Sequence, residues 1–265
     1  MYGKTIEMTL NDEPYFAFKN GKKCVEVRLY DEKRQAICPN DIIIFKRRGN
    51  EDEEVRGLVK ALHRAESFKE LFESEIFSLC GFGGASACEA VEIMHTYYTE
   101  EDEEKYGVLG IELIPVVEIY SKGDYPADSL SNFYPHEFEI DGIRCASMEG
   151  FLQSLKFRFS FIQRRICRLS GKAAKKRGTK RAGWKKRGYI RWKGEKIARL
   201  SYDFTVLTER AYACMYEQNE AFRDALNSTR GKVLTHSIGS HDKMDTILTE
   251  EEFIENLNKL RDRDN

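Results

Sequence analysis

The first 120 residues place apolar side chains at the two-residue spacing of β-strands. From Lys23 to Leu29 the side chains of Val25, Val27 and Leu29 fall on one face, which predicts a half-buried strand. The run Ile42–Phe45 is continuously apolar, so we expect a strand buried on both faces. The predicted strands are Thr5–Leu10, Lys23–Leu29, Ile42–Phe45, Glu54–Leu62 and Val108–Ile119.

Short helices are predicted between these strands. Pro14–Asn20 can form a helix that ends at Gly21, and two more can begin after Ser67 and Ser86, whose side chains can cap a first turn. The glycines of Gly81–Ser86 are typical of a phosphate-binding loop. However, the third glycine of a dinucleotide fingerprint and the Gly-Lys-Ser/Thr ending of a P-loop are both missing. We therefore predict a flexible loop that leads into a helix.

Beyond residue 129 the apolar positions follow helical spacing. Ser147 can cap a helix whose apolar side carries Phe151, Leu152 and Leu155. The preceding Leu130–Phe138 is aromatic and has a proline in its middle, which predicts an ordered loop packed on the core.

Three more predictions concern the rest of the chain. Ile166–Leu200 is predicted as a helix, a basic loop and a short turn around Trp192, and Asp203–Leu226 as one long helix. Thr249 with Glu252 three residues later forms a capping box for the last helix.

A chain of 265 residues is long for one domain. Glycine, proline and aspartate in residues 121–128 indicate a linker. We expect a two-domain α+β protein, with a β-barrel domain over residues 1–120 and a mainly α-helical domain over residues 129–265.

Composition indicates a globular, cytoplasmic protein. The chain is 41% hydrophobic and 33% charged. No run approaches the roughly 20 apolar residues of a membrane span, and no apolar signal segment is expected at the N-terminus. The seven cysteines form no Cys-x-x-Cys pair and the five histidines are scattered, so we expect reduced thiols, no metal site and no cofactor. The oligomeric state stays open.

Charge is distributed very unevenly, although the net charge is only −1. The segment from Lys156 to Arg199, which we call the basic block, holds 18 Lys and Arg residues against the single acid Glu195, a net of +17. The remainder of the chain therefore carries −18. Such a block attracts phosphate groups, on a nucleotide or on a nucleic acid backbone.

The helix after Ser147 also brings three reactive side chains to one side. Glu149 lies in its first turn, and Gln153 and Lys156 follow at i+4 and i+7. They can project together into a cleft, or they can simply form the solvated face of an amphipathic helix. Because Glu149 stands at a helix N-terminus, we expect an ionised carboxylate there.

The second half resembles the NADAR (YbiA-like) family in several motifs. They are Leu130–Pro135, Asp141–Gly142, Ser147–Lys156, Gly171–Lys175, Trp184–Lys185, Trp192–Gly194, Ile197 with Arg199, and Tyr216–Asn219. Near the C-terminus the chain departs from the family pattern of an acidic residue followed by Asp-x-x-Trp-Gly, because it has Leu234–Gly239 with Asp242 and Asp245 close by. The family is implicated in cleaving N-glycosidic bonds of ribosylated compounds.

This resemblance implies a set of site residues. Glu149 and Lys156 are the implied catalytic residues. The expected ionised Glu149 favours an electrostatic stabiliser, a nucleophile or a water-activating base over a general acid, and Lys156 binds phosphate or traps the opened sugar as a Schiff base. The implied substrate-binding residues are Asn132, Phe133, Tyr134, Gln153, Trp192, Arg199 and His236, with Trp192 as a stacking platform for a base and Arg199 as a pyrophosphate contact. For the last two, a core tryptophan and a merely solvated arginine are the alternatives.

The first half resembles the ASCH family, whose members have a PUA-like β-barrel associated with RNA binding and, in some, with amidohydrolysis. The resemblance lies in Gly21–Arg28, in Pro39–Asp41 before an apolar strand, and in Tyr106–Glu112. Where the amidohydrolases place a threonine nucleophile, this chain has Glu26, so amidase activity does not transfer. Lys23, Glu26 and Arg28 are candidate ligand contacts in the barrel cleft, or else charges on the wet face of a strand.

Together these patterns predict an N-glycosidase that acts on a ribosylated or ADP-ribosylated substrate. That substrate is a nucleotide-like metabolite or a modified nucleic acid base, and RNA or DNA is a further partner through the ASCH domain. The alternative is a non-catalytic module or sensor that binds ADP-ribose or RNA. Sequence alone does not choose among a metabolite, DNA and RNA.

Overall fold

The computed structural model describes residues 3–264. The chain divides into two compact units, residues 3–116 with 231–233 and residues 117–230 with 234–264, which we call the N-terminal and C-terminal units. Both helices and strands are present, so the predicted two-domain α+β class is confirmed. Residues 121–128, the predicted linker, form turns and bends. The predicted domain boundaries themselves stay a prediction.

The N-terminal unit is built on a mixed sheet that curls as a half-barrel. Its strands are β1 (Thr5–Leu10), β2 (Val25–Leu29), β3 (Ile42–Arg47), β4 (Asn50–Ala65) and β5 (Val108–Glu118). β1 and β3 are parallel, and the order continues through antiparallel β4 to β5, which also pairs with β2. β3 buries only Ile43 and Phe45, so the prediction that it is buried on both faces is wrong.

Four helices belong to the N-terminal unit: α1 (Asp12–Lys19), α2 (Phe68–Phe72), α3 (Ala87–His95) and α4 (Glu100–Tyr106), together with a 3₁₀ turn at Glu75–Leu79. The serines that precede α2 and α3 cap them as predicted, and the loop before α3 does lead into that helix. Pattern reasoning missed α4 because its first turn is entirely acidic and carries no apolar stripe.

The C-terminal unit is mainly helical. Its helices are α5 (Met148–Ser154), α6 (Ser160–Cys167), α7 (Gly171–Thr179), α8 (Gly183–Arg187), α9 (Tyr202–Gln218), α10 (Glu220–Asn227) and α11 (Glu250–Arg261), and a 3₁₀ turn follows at Asp262–Asp264. Two hairpins join them: β6 (Phe138–Ile140) with β7 (Ile143–Cys145), and β8 (Tyr189–Trp192) with β9 (Glu195–Ala198). A further short strand is β10 (Val233–Thr235).

Several local predictions for this unit need correction. The predicted basic loop is two helices, α7 and α8, because alanine, lysine and arginine are good helix formers and α7 buries Ala174 and Gly178. Trp192 ends a strand of a hairpin instead of standing in a turn. The predicted long helix breaks at Asn219, whose side chain accepts a hydrogen bond from the Phe222 N–H and so caps α10. The capping box of α11 is present as predicted.

One large apolar core holds the C-terminal unit together. It joins α5, the two hairpins, α9 and α11 through side chains such as Phe151, Trp184, Trp192, Tyr212 and Phe253. Within residues 3–264, no helix combines the length and the apolar character that crossing a bilayer requires.

Candidate active site

Helix α5 is held in place at both its start and its flank. The Ser147 hydroxyl accepts a hydrogen bond from the Gly150 N–H at 3.0 Å and donates one to the Leu169 carbonyl at 3.3 Å. A Cβ on Gly150 would lie 2.3 Å from the Leu169 carbonyl oxygen, so only glycine allows this approach. All seven residues of α5 are buried, and the alternative of a solvated amphipathic helix is therefore wrong.

A cavity of about 500 Å³ lies beside α5. This volume is within the range of ligand-binding pockets. Six of the predicted site residues line the cavity: Asn132, Phe133, Glu149, Gln153, Lys156 and His236. Side chains from α5, from the loop before β6 and from the segment after β10 therefore converge on one space.

Glu149 is the most constrained of these residues. Its backbone N–H donates to the Asn132 carbonyl at 2.8 Å, and its Oε1 accepts from Gln153 Nε2 at 2.8 Å. The Lys175 ammonium lies 3.8 Å from the same oxygen. Burial raises the pKa of Glu149, although the charge of Lys175, the Gln153 hydrogen bond and the charge of Lys156 all oppose the rise. Desolvation therefore opposes the expected effect of the helix N-terminus and favours the protonated form of Glu149.

Lys156 follows the C-terminal end of α5 and lines the same cavity. Burial lowers the pKa of Lys156 to about 8, against the opposing charge of Glu149 and with the help of the ammonium groups of Lys175 and Lys185. Within the described part of the chain, no direct ion pair joins Lys156 to Glu149. With its pKa at about 8, Lys156 has a minor but larger than usual fraction of neutral amine near neutral pH.

Asn132 is oriented by a residue that the sequence did not single out. The hydroxyl of Tyr212 on α9 donates to Asn132 Oδ1 at 2.6 Å, and Tyr212 is 1% exposed. Because Oδ1 is engaged, the amide Nδ2 of Asn132 is the atom that is free to donate to a ligand. The sequence placed Tyr212 within the predicted helix Asp203–Leu226 but gave no sign of its contact with Asn132.

The far side of the cavity is closed by residues from the segment before α11. His236 Nδ1 donates to the Ile119 carbonyl at 2.6 Å, and its ring packs edge-on against Phe253 at 5.1 Å. Lys185 from α8 and Asp245 both line the cavity and form an ion pair at 3.0 Å. Lys175 and Lys185 also line the cavity. Both end motifs of the NADAR resemblance, but the sequence analysis did not name them as site residues.

Three predicted ligand contacts do not line this cavity. Trp192 is buried in the core, where its Nε1 donates to Asp141 Oδ2 at 2.7 Å and its ring packs edge-on against Phe151. Arg199 is 1% exposed and forms a two-point ion pair with Glu252 on α11, at 2.9 and 2.5 Å. Tyr134 is half exposed and stacks on His136. Trp192 is thus a core tryptophan, which was the alternative to a stacking platform. Arg199 does not reach the cavity as a pyrophosphate contact, and it is not solvated either.

The candidate ASCH residues of the N-terminal unit satisfy one another. Lys23 Nζ donates to the Cys80 carbonyl at 2.8 Å and lies 3.3 Å from Glu26 Oε2. Glu26 Oε1 is 2.7 Å from Arg28 Nε, and Arg28 Nη2 donates to the Thr9 carbonyl at 3.0 Å. Lys23 and Glu26 are buried, so the wet-face alternative is wrong for both. Throughout residues 3–264, no group of three or more His, Cys, Asp and Glu side chains could hold a metal ion.

Gly178 controls the position of the Gln153 amide. A Cβ on Gly178 would lie 1.6 Å from Gln153 Oε1. We expect Gly178→Ala to displace this amide and to remove its hydrogen bond to Glu149. The rate of the reaction that we propose below should then fall by about tenfold or more. Alanine favours the helix by about 0.5–1 kcal/mol, so the loss of stability should be partly offset. Turnover and thermal unfolding, measured on the same samples, separate the two effects.

Gly183→Ala is the matched control, because its Cβ would meet only the tip of the Arg187 side chain, at 2.8 Å. It should leave turnover unchanged. Full activity in Gly178→Ala would mean that the Gln153 amide does not hold Glu149 in its active position.

Comparison with known proteins identifies both halves. Residues 8–117 match the family model of the ASCH domain, which confirms that prediction, and residues 124–262 match the family model described as bacteriophage protein GP30.3. The chain is 46% identical over 147 residues to an uncharacterised 17.1 kDa protein from the Gp30-rIII intergenic region of enterobacteria phage T4, which covers 55% of this chain and 97% of that protein.

One similar solved structure is that of the hypothetical protein PH0355, which is 42% identical to this chain. The match covers 43% of this chain and 99% of PH0355, with a TM-score of 0.38. Another is YbiA of E. coli, at 19% identity, covering 56% of this chain and 83% of that one, with a TM-score of 0.40. The resemblance of the second half to the NADAR family stays a prediction. The chain belongs to the bacteriophage protein GP30.3 family through residues 124–262, and it carries an ASCH domain at residues 8–117.

Proposed function

We propose that the C-terminal unit is an N-glycosidase that cleaves the bond between a ribosyl or ADP-ribosyl group and a nitrogen. The observation that carries this proposal is the pair of Glu149 and Lys156 in one cavity, with the pKa of Glu149 raised and that of Lys156 lowered to about 8. Opposite shifts of this kind bring both groups toward neutral pH, where proton transfer and nucleophilic attack are most effective.

Each group has a distinct task in this reaction. The neutral Lys156 amine forms a bond to the anomeric carbon while the bond from that carbon to the leaving nitrogen breaks. Protonated Glu149 donates its proton to the leaving nitrogen, so that a neutral base departs. Sugar ring opening gives a Schiff base on Lys156, and water, which gives a proton to the Glu149 carboxylate, releases the sugar and restores the amine.

The remaining lining residues suit a nucleotide-like substrate. Lys175, Arg181 and Lys185 bring positive charge to the cavity and can hold phosphate groups. Asn132 supplies a donor, and Phe133 and Phe253 supply apolar surface. Lys156 has phosphate binding as its second candidate role. For the ASCH domain we propose RNA or nucleotide binding, with Lys23, Glu26 and Arg28 as its candidate residues.

The direct test is product release by the full chain. ADP-ribosylated guanine, NAD-related compounds and ribosylamino-pyrimidines are incubated with the protein, and free base and free sugar are measured by chromatography. We expect turnover of at least one of these classes. The absence of release from all three classes would contradict the proposal.

The competing proposal is a module or sensor that binds ADP-ribose or RNA without turnover. The altered segment Leu234–Gly239, where relatives of the NADAR type have a different motif, favours this alternative. Two measurements together separate the proposals. A sensor should bind ADP-ribose in calorimetry and release no product from any of the three substrate classes.

A further inference from the structure

Two phenylalanine rings lie exposed on the surface of the C-terminal unit. Phe159 and Phe161, at the start of α6, are 51% and 70% exposed. Their rings stack with centroids 5.7 Å apart and planes 24° apart, and the Arg158 guanidinium lies 5.4 Å above the Phe159 ring. Side chains of this size are normally buried, so an exposed and ordered pair indicates a surface that meets a partner.

The surroundings of this pair are strongly cationic. The basic block that contains them carries a net charge of +17. Among the described residues of this block, only Lys175, Lys185 and Arg199 form ion pairs with a carboxylate. The other cations have no carboxylate partner, although Lys193 donates to the Asp141 carbonyl and Lys156 is buried in the cavity. A polyanion complements the remaining charges better than any single phosphate does.

The aromatic pair is also connected to the cavity. Lys156 and Arg181 both line the cavity, and the Arg181 guanidinium lies 5.6 Å from the ring of Phe157. Phe159 is three residues beyond Lys156, so the two Cα atoms can be at most about 11 Å apart. A chain-like ligand with one unit in the cavity can therefore reach Phe159 with a neighbouring unit.

We propose that Arg158, Phe159 and Phe161 form a binding surface for single-stranded nucleic acid, with the strand leading toward the cavity. Unpaired bases stack on the two rings, and the surrounding lysines and arginines bind the phosphates. A duplex does not fit this surface as well, because its bases are already stacked on one another. The proposal concerns binding alone and holds whether or not the cavity cleaves a glycosidic bond.

Binding of the full chain to a labelled single strand of about 12 nucleotides tests this surface. Fluorescence anisotropy is measured with DNA and with RNA, each compared with a duplex of the same sequence. We expect single strands to bind more tightly than duplexes and to weaken steeply between about 50 and 200 mM salt. Phe159→Ala with Phe161→Ala should raise the Kd for single strands by about tenfold or more.

Tyr202→Ala is the matched control, because Tyr202 is 78% exposed and lies outside this surface. It should bind the single strand as the unchanged protein does, and Phe159→Trp should retain binding. Cleavage of a mononucleotide-sized substrate should be unaffected in the double alanine variant and in Phe159→Trp. This result would separate the binding surface from the proposed catalytic site.

Equal affinity for single strands and duplexes, together with no effect of the phenylalanine variants, would show charge attraction alone and overturn the proposal. Binding to vesicles of anionic lipid that depends on Phe159 and Phe161, without strand binding, would assign the surface to a membrane and overturn it equally. If the affinities for DNA and RNA differ, the strand with the lower Kd identifies which nucleic acid this surface binds.

Discussion

Glu149→Gln should lower kcat by about 10²- to 10⁴-fold, the effect of losing a positioned proton donor. The glutamine side chain has nearly the same size and can still accept the hydrogen bond from Gln153. It cannot exchange a proton with the leaving nitrogen. Steady-state kinetics at saturating substrate measure this loss, and substrate binding by calorimetry should persist.

The same variant should not lose stability. Burial raises the pKa of Glu149, so its charged form is costly in the folded state, and the neutral glutamine avoids this cost. We expect a melting temperature equal to or above that of the unchanged protein. Glu217→Gln, on the exposed side of α9, serves as the control for loss of a carboxylate. Unchanged turnover in Glu149→Gln would exclude the proposed reaction.

The pH dependence of kcat/KM should reflect both groups. The Lys156 amine becomes neutral as the pH rises through about 8, which increases its nucleophilic fraction. Glu149 loses its proton as the pH rises through its raised pKa, which removes the acid. The rate depends on the neutral fraction of Lys156 multiplied by the protonated fraction of Glu149, which gives a bell-shaped profile. The two apparent pKa values of that profile describe the coupled pair and not either residue alone.

Lys156→Arg separates the two roles of this residue and should also have a large effect. Arginine keeps the positive charge and can bind phosphate, but it stays protonated and cannot form a Schiff base. We expect turnover to fall on the order of 10³-fold or more. Borohydride reduction during turnover should attach the sugar to Lys156 in the unchanged protein and to no residue in the variant, as measured by mass spectrometry of peptides.

Lys175→Arg is the control, since Lys175 also borders Glu149 but is more than half exposed at its side chain. It should retain covalent trapping at Lys156. Near-normal turnover in Lys156→Arg would mean that the residue acts only as a cationic phosphate contact, and the nucleophilic step would then be wrong.

The sequence predicted the front of the site better than its back. Ser147 as a cap and the spacing of Glu149 and Gln153 are local features, so the helical pattern and the family motif located them correctly. The interior position of Trp192 and the pairing of Arg199 with Glu252 arise from contacts between distant segments, which spacing along the chain does not show. Both residues sit in family motifs, yet they support the core.

The sign of the Glu149 pKa shift illustrates the same limit. In the sequence, Glu149 lies at the N-terminus of a predicted helix, a position that lowers the pKa of a carboxylic acid. Spacing along the chain did not show that the backbone of Asn132 packs against this end of α5 and that Glu149 is buried there. The α7 and α8 helices were missed for a related reason, since their buried faces consist of small residues and one tryptophan that a basic composition conceals.

The hydrogen bond from Tyr212 to Asn132 has a consequence for ligand choice. Because one lone pair of Asn132 Oδ1 accepts from that hydroxyl, the two Nδ2 protons are the larger part of the hydrogen-bonding capacity that the amide has left for a ligand. A heterocycle that presents a carbonyl at this position gains a hydrogen bond, whereas one that presents an amino group places two donors against each other. We therefore expect a ring that presents a carbonyl to Nδ2 to bind more tightly than the otherwise identical ring with an amino group there.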